Sequence, residues 1–565
     1  MSLFKPRASS QSVASLCPHI VILIGILCPY LCVAESDESK NLQEKINNTR
    51  ELRMLMQSDP HRPIYHFVAP EGHAAPFDPN GAIYWKGKYH LGFVYQTHSR
   101  GDFFSNNGDY AWGHAVSTDL LHWTFYPNML EVTNDRESGI YSGGAFLSKE
   151  GVPHLIYYTS ATDSPVSATN NIAYATDDDL KVWKKSENNP VLRDEIPKKW
   201  KEEWKKKNWK GINPFLIPGR YSVFDPDAWY DKTADAYYQI SSGARPALFK
   251  SRDMRTWSYL GDLIDKENTM RNPNEDLSCP DFFPIGNGKY MLLFISHNWG
   301  AQYYVGTFGN DKFTVERHAR MNWPGGSFFA PEQLQDDKGR SIIWGWIVER
   351  KPQHLPDYGW SGIMSLPRVV SLGNDGRVRI DPAEELKAAR VMQTKEEDNH
   401  LEPGRERTLR SKGRSLELKL EIVGAENDSV GIKVFASPDG REETIITYDP
   451  RRGELAIDFS KSSIRAPVTM PAATVFSWDG SDIAGFPKNV SEQRAPLKLS
   501  KGEPLKLNVF LDRSVIEVFA NGIQCVTQVV YPELETSTGV KIFSGKEKVA
   551  VKNIQSWTMA ETNAY

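Results

Sequence analysis

Cysteine is scarce, five in 565 residues, and three of those, Cys17, Cys28 and Cys32, fall at the extreme N-terminus. Cys279 and Cys525 lie in what read as different domains, so two buried free thiols are expected rather than a stapled scaffold. Charge of one sign is also lacking. With 67 Lys+Arg against 71 Asp+Glu, a formal net charge of −4, the chain has no bulk field for nucleic acid or another polyanion. Long apolar runs are absent apart from Ile20 to Leu31, which is too short to anchor in a membrane. No glycine-rich phosphate loop stands between a strand and a helix, and no Ser/His/Asp elbow appears. His114 has no partners at metal-ligand spacing and reads as a hydrogen-bonded structural histidine. No metal and no organic cofactor is expected.

The apolar run does have a context. Lys5 and Arg7 precede it and Cys32-Val33-Ala34 closes it, the pattern of a cleavable signal peptide, so an exported, secreted or periplasmic product is expected. The sequons at Asn47, Asn427 and Asn489 matter only in a host that glycosylates such products. The length asks for at least two domains. The expected organisation is signal peptide 1–34, charged leader 35–60, a first all-β domain 61–380, a short helical linker 381–402 around Glu384-Glu385-Leu386-Lys387, and a second β domain 403–560.

Gly 41, Pro 35 and 11% aromatics suit turn-rich β structure, and one unit repeats. Asp119-Leu-Leu-His-Trp123, Asp179-Leu-Lys-Val-Trp183 and Asp253-Met-Arg-Thr-Trp257 place an acid four residues before a tryptophan. A four-stranded sheet with its turns takes roughly 40–50 residues, more with insertions, so the spacing fits propeller blades. The acid would bond turn amides and the indole would pack between sheets. Pro197 to Lys210 interleaves Lys with Trp200, Trp204 and Trp209; it reads as a solvated insertion docked through its indoles, with a sugar-stacking or anion-binding lip as the other reading. Late in the chain, Leu505 to Ala520 alternates apolar and polar residues as a sandwich strand pair does.

The most informative stretch is Arg62 to Gln96. Asp78-Pro79-Asn80-Gly81 is a strong turn signal between an aromatic lead-in and an alternating strand, with Lys86-Gly87-Lys88 as its hairpin tip. A carboxylate held by a rigid turn beside aromatics suits a nucleophile; a turn-capping Asp is the plainer reading. The stretch resembles the N-terminal signature of glycoside hydrolase family 32, the invertases, levanases and inulinases, with Phe77 where that pattern has Asn. The resemblance runs from Arg62 to Trp557, through Trp112-Gly113-His114, Tyr141-Ser142-Gly143-Gly144, Ser365-Leu366-Pro367-Arg368 and Asp512-Arg513-Ser514 before Glu517-Val518-Phe519, whose charges read as structural. It implies a five-bladed β-propeller followed by a C-terminal β-sandwich. It also implies Asp78 as nucleophile and sugar contacts from Asn80, Gln96, Trp112, Tyr141 and Ser142.

Two further carboxylates are then needed near the axis. Asp225 in Phe224-Asp225-Pro226 matches the family's Arg-Asp-Pro motif, whose Asp holds sugar hydroxyls, but Phe224 replaces the Arg; Arg245 is a candidate substitute. The acid/base Glu of the family precedes Cys-Pro-Asp. Here Ser278 holds that place before Cys279-Pro280-Asp281, with Glu275 and Asp276 just upstream. Glu275 is taken as the acid/base for its longer reach, with Asp276, which shares the strand parity of Ser278, as runner-up. The resemblance thus implies an exported retaining hydrolase that releases fructose from sucrose or a fructan. A fructosyltransferase or another five-bladed glycosidase would share the site, and a sugar-binding protein without turnover is the alternative raised by changes in three motifs at once.

Overall fold

The computed structural model describes residues 37–563, except 71, 75–76, 98–109, 135–136, 162–163, 195–220 apart from 202 and 206, 244, 266–274 and 476–487. The expected signal peptide lies outside the described residues, as does the Lys/Trp insertion apart from residues 202 and 206. A helix spans Asp37–Gln57, and no described helix is long and apolar enough to cross a membrane.

Five antiparallel sheets follow in chain order, and we label them blades I to V. Their innermost strands are Pro79–Trp85, Gly143–Leu147, Pro226–Asp231, Ser278–Gly286 and Phe328–Gln335. Each of these contacts the next and the fifth contacts the first, so the ring closes. The closure is also stitched from outside, because the segment entering blade I bridges to blade V through Val68 and Ile363.

The three repeats occupy equivalent corners, and in each the residue before the last three is forced to positive φ: Leu120 at 66°, Leu180 at 56° and Met254 at 60°. A leucine there is strained, and the acid beside it holds the turn. Asp119 accepts from the amides of Leu121 and His122 at 3.0 and 2.8 Å, and Asp253 from those of Arg255 and Thr256 at 2.9 and 3.0 Å. The second repeat departs from expectation. There Asp177, not Asp179, takes the turn amides of Lys181 and Val182, while Asp179 pairs with Lys88 of blade I.

Buried polar side chains, most of them on the inner strands and one, Asn170, on the third strand of blade II, join blade to blade. Asn80 of blade I accepts from the Gly143 amide of blade II at 2.7 Å, and Asn170 of blade II donates to the Phe224 carbonyl leading into blade III at 2.9 Å. Asp227 then accepts from Phe282, Asp281 from Gln333, and Glu332 from Ala82, at 2.8, 2.5 and 3.0 Å, which completes the circuit. All three acids are buried. Burial pushes Asp227 up to about 7, and burial plus mutual repulsion raises Asp281 and Glu332 well above the usual carboxylate range. Groups with raised folded values contribute stability that is present below their ordinary values near 4 and is lost as pH rises through the folded ones. The melting temperature is therefore expected to fall from pH 5 to pH 8. Asp281→Asn, which keeps an oxygen for Gln333 and cannot ionise, should flatten that slope; an unchanged slope in a differential scanning measurement would refute the assignment.

The second domain is a sandwich of a seven-stranded and a six-stranded sheet over one apolar core. Of the expected linker, only Glu384–Ala389 is helical, as a 3-10 turn. Arg390–Lys395 and Asn399–Leu401 pair with Val549–Met559 and so already belong to the seven-stranded sheet. The charged sequence hid this because these are edge strands, where exposed side chains are tolerated.

Asp512 and Glu517 bind the two domains together. Asp512 accepts from the backbone amides of Ile64, Tyr65 and His66, each at 2.9 Å, and Glu517 pairs with Arg368 of blade V at 2.7 Å. His66, fully buried, touches both acids at 2.9 and 3.3 Å. Burial alone would lower His66, but the two carboxylates raise it to about 9, so it stays charged. Burial alone would likewise raise Glu517; Arg368 and His66 hold it below its usual value. Glu517→Gln leaves Arg368 without its buried carboxylate and His66 with Asp512 alone, and should cost about 3–5 kcal/mol, read as the shift in a denaturant midpoint.

Cys279 and Cys525 are free thiols, as expected, but only Cys525 is buried; Cys279 is partly exposed.

Candidate active site

The chain enters each inner strand from the same end of the ring, so the residues just before those strands gather at one mouth. They are Asp78 in blade I, Ser142 in blade II, Asp225 in blade III and Asp276 in blade IV, whose inner strand opens with Ser278.

Asp78-Pro79-Asn80-Gly81 is not a free turn. Pro79 and Asn80 already pair with Phe93 and Gly92, and the register slips between Asn80 and Ile83. This is a β-bulge, which re-aims a side chain at a strand end. Gly81 makes it possible, having φ +57°, and a Cβ there would lie 2.9 Å from the Trp112 indole. The hairpin tip is Lys86-Gly87, with Trp85 opposite Lys88. The Asp78 carbonyl accepts from Val94 at 2.9 Å and from the Asn80 amide at 2.7 Å, so its backbone is fixed on both sides.

The Asp78 carboxyl receives the Ser142 hydroxyl on Oδ2 at 2.9 Å. Its Oδ1 has no hydrogen-bond partner among the described residues. Burial pushes the group up to about 6, against the opposing pull of the Ser142 hydrogen bond and the charge of His297. Asp225 is raised further, to about 7, by burial and then by the fields of Asp78 and Asp276, with His297 and the Cys279 amide acting the other way. Mutual influence of this kind places Asp78, Asp225, Asp276 and His297 in one electrostatic cluster.

The two neighbouring acids of blade IV point to opposite sides. Glu275 is fully buried and gripped by Arg320 at 2.5 and 3.2 Å, Gln302 at 2.6 Å and Ser296 at 3.3 Å. Those partners sit on the second, third and fourth strands of the same blade, and Arg320 is stacked on Trp299 with 4.6 Å to the ring centroid. Asp276 instead takes the Ser278 hydroxyl at 2.8 Å, His297 Nδ1 at 2.7 Å and the His297 amide at 3.2 Å. Its carboxyl would rise by burial, but His297 and Ser278 hold it below its usual value.

His297 is the residue that no motif announces. Ser278 pairs with Ile295, and continuing that register two residues toward the mouth sets His297 opposite Asp276. Its one sequence signal is a lone histidine ending the buried run Met291-Leu-Leu-Phe-Ile-Ser296.

Other expected contacts have framework roles. Trp112 is fully buried and its indole donates to the Tyr141 carbonyl at 2.9 Å, so it fixes Tyr141 in place of offering a face to sugar. Asn80 is buried with both ends of its amide engaged, by the Asp78 carbonyl and the Gly143 amide. Gln96, also buried, donates to Tyr110 at 3.1 Å. Phe77 is enclosed against Phe67 and Phe93, with centroids at 5.9 and 5.0 Å, and Phe224 lies edge-on to Tyr158 at 5.6 Å. Both replacements have turned a polar position into core. Arg245 pairs with Asp262 at 2.8 Å and does not replace the missing arginine. No group of three or more His, Cys, Asp or Glu among the described residues could hold a metal ion.

A propeller whose axial mouth holds paired, partly desolvated carboxylates is the framework of a glycoside hydrolase. Residues 66–382 match the N-terminal domain of glycosyl hydrolases family 32 and residues 385–558 its C-terminal domain. The chain belongs to this family, and its activity is hydrolysis of O-glycosyl bonds. It is 27% identical over 528 residues to the levanase of Bacillus subtilis (strain 168), covering 87% of this chain and 70% of that protein. It is 26% identical over 554 residues to the fructan 1-exohydrolase of Aegilops speltoides, covering 85% of each. Among solved structures, fructan 1-exohydrolase IIa from Cichorium intybus superposes with a TM-score of 0.72 at 20% identity, over 89% of this chain and 98% of that one. That likeness supports the five-bladed propeller and the sandwich.

Proposed function

We propose that the protein releases fructose from sucrose or a fructan such as levan or inulin by a two-step retaining mechanism. The observation that carries the reading is the meeting of Asp78, with one uncommitted carboxylate oxygen, and Asp225 at one mouth. Family membership and relatives named levanase and fructan 1-exohydrolase support fructose as the sugar. Asp78 attacks the anomeric carbon, and a fructosyl ester forms as the leaving oxygen takes a proton; water then resolves the ester. Asp225 holds ring hydroxyls, and near neutral pH its raised value lets it donate as well as accept. The acid/base work falls to the Asp276 side of blade IV, because Glu275 is committed to Arg320, Gln302 and Ser296 inside the blade. Tyr141 and Ser142 line the sugar side of blade II. We also infer export from the signal-like N-terminus.

The test is sugar release from sucrose, inulin and levan by the mature protein, with products separated by chromatography. Free fructose supports hydrolysis, and fructose-extended oligomers would instead identify a transferase.

A further inference from the structure

We propose that His297 is the proton carrier of the reaction, giving its Nε2 proton to the leaving oxygen and taking one back from water, with Asp276 as its positioning partner. The inference rests on the retaining reading above and concerns only which group holds the proton.

Accessibility decides between the two. The Asp276 side chain has 0% relative exposure, whereas that of His297 has 12%. Asp276 is also fully engaged, by the Ser278 hydroxyl and by both the ring and the backbone amide of His297. A carboxylate so enclosed orients a neighbour better than it reaches a substrate. With Nδ1 directed at Asp276, the transferable proton sits on Nε2. The ring is steadied from blade V by an edge contact with Phe329, centroids 5.9 Å apart.

Among the described residues, the carboxylates that act on His297 come from three blades: Asp78 from I, Asp225 from III and Asp276 from its own. Among the described residues, blade II offers the uncharged Ser142 and Tyr141 on the sugar side, and blade V the Phe329 ring. Burial alone would lower the imidazole, and the three carboxylates more than reverse this, so His297 is protonated when Asp276 is ionised. Ser278, standing where the family has its acid, is then the hydroxyl that fixes Asp276.

The steps balance. As the Asp78 oxygen bonds to the anomeric carbon, the bond to the leaving oxygen breaks and that oxygen takes the Nε2 proton. Neutral His297 then removes a proton from water as the water oxygen displaces Asp78.

The experiment compares sucrose, whose leaving oxygen needs a proton, with β-D-fructofuranosyl fluoride, whose fluoride does not. For His297→Gln, kcat on sucrose should fall about 10²-fold or more, while the first-turnover burst of fluoride stays within about tenfold of wild type. Equal loss on both substrates would overturn the proposal. Wild-type failure on both would instead defeat the underlying reading, so the two failures are distinguishable. If thermal melting shows the variant unfolded, the wild-type alkaline limb decides: an imidazole limb moves to lower pH on warming, and one that stays fixed, as a carboxyl's does, refutes the assignment.

Discussion

Asp78→Ala is expected to lower kcat for fructose release by about 10⁴-fold or more, the scale on which removal of a covalent nucleophile acts. The fold should survive, because what fixes this position is backbone: the Asp78 carbonyl accepts from Val94 and Asn80, and neither bond needs the carboxyl. Removing a buried acid raised to about 6 also removes a desolvation penalty, so the melting temperature at pH 7 should hold or rise. Wild-type kcat should show an acid limb near 6, since only the ionised carboxylate attacks; activity is lost as pH falls through that value. Residual activity within about tenfold of wild type would remove Asp78 from the mechanism.

The second large effect separates adjacent residues. Asp276→Asn keeps a polar group beside Ser278 and His297 but loses the charge that holds the imidazole protonated. We expect kcat to fall about 10²-fold or more, with the alkaline limb moving to lower pH. Glu275→Gln should behave differently. It leaves Arg320 facing Gln302 and Ser296 without its carboxylate, a loss of about 3–5 kcal/mol in stability, while kcat per folded molecule changes little. Urea midpoints and active-site-normalised rates for the two variants test this together. Loss of kcat in Glu275→Gln with an unchanged midpoint would return the acid/base role to Glu275.

Much of the framework was legible because it is local. The Asp-to-Trp repeats marked blade corners, and Lys86-Gly87-Lys88 marked a hairpin tip to within the one residue, Lys88, that already pairs with Trp85, since turn chemistry is carried by a few consecutive residues. The resemblance supplied the blade count and directed attention to Asp78, Asp225 and the Glu275-Asp276 pair. What stayed hidden depended on partners far along the chain. Glu275 has the longer side chain, and reach alone favoured it, but Arg320, 45 residues later, had already claimed it. Trp112 was expected to contact the sugar, yet its indole is spent on the Tyr141 carbonyl. His297 had no motif, because its significance arises only when strand register sets it across from Asp276. The second repeat misassigned its turn acid for a similar reason, with Lys88 of another blade drawing Asp179 away from the turn.

Mass spectrometry of the wild-type protein, acid-quenched during turnover of β-D-fructofuranosyl fluoride and digested, tests the central claim most directly. The account predicts one anhydrohexose added to the peptide that contains Asp78, absent from Asp78→Ala. Turnover with no adduct at Asp78, or an adduct on a peptide carrying Asp225 or Asp276 instead, would contradict it.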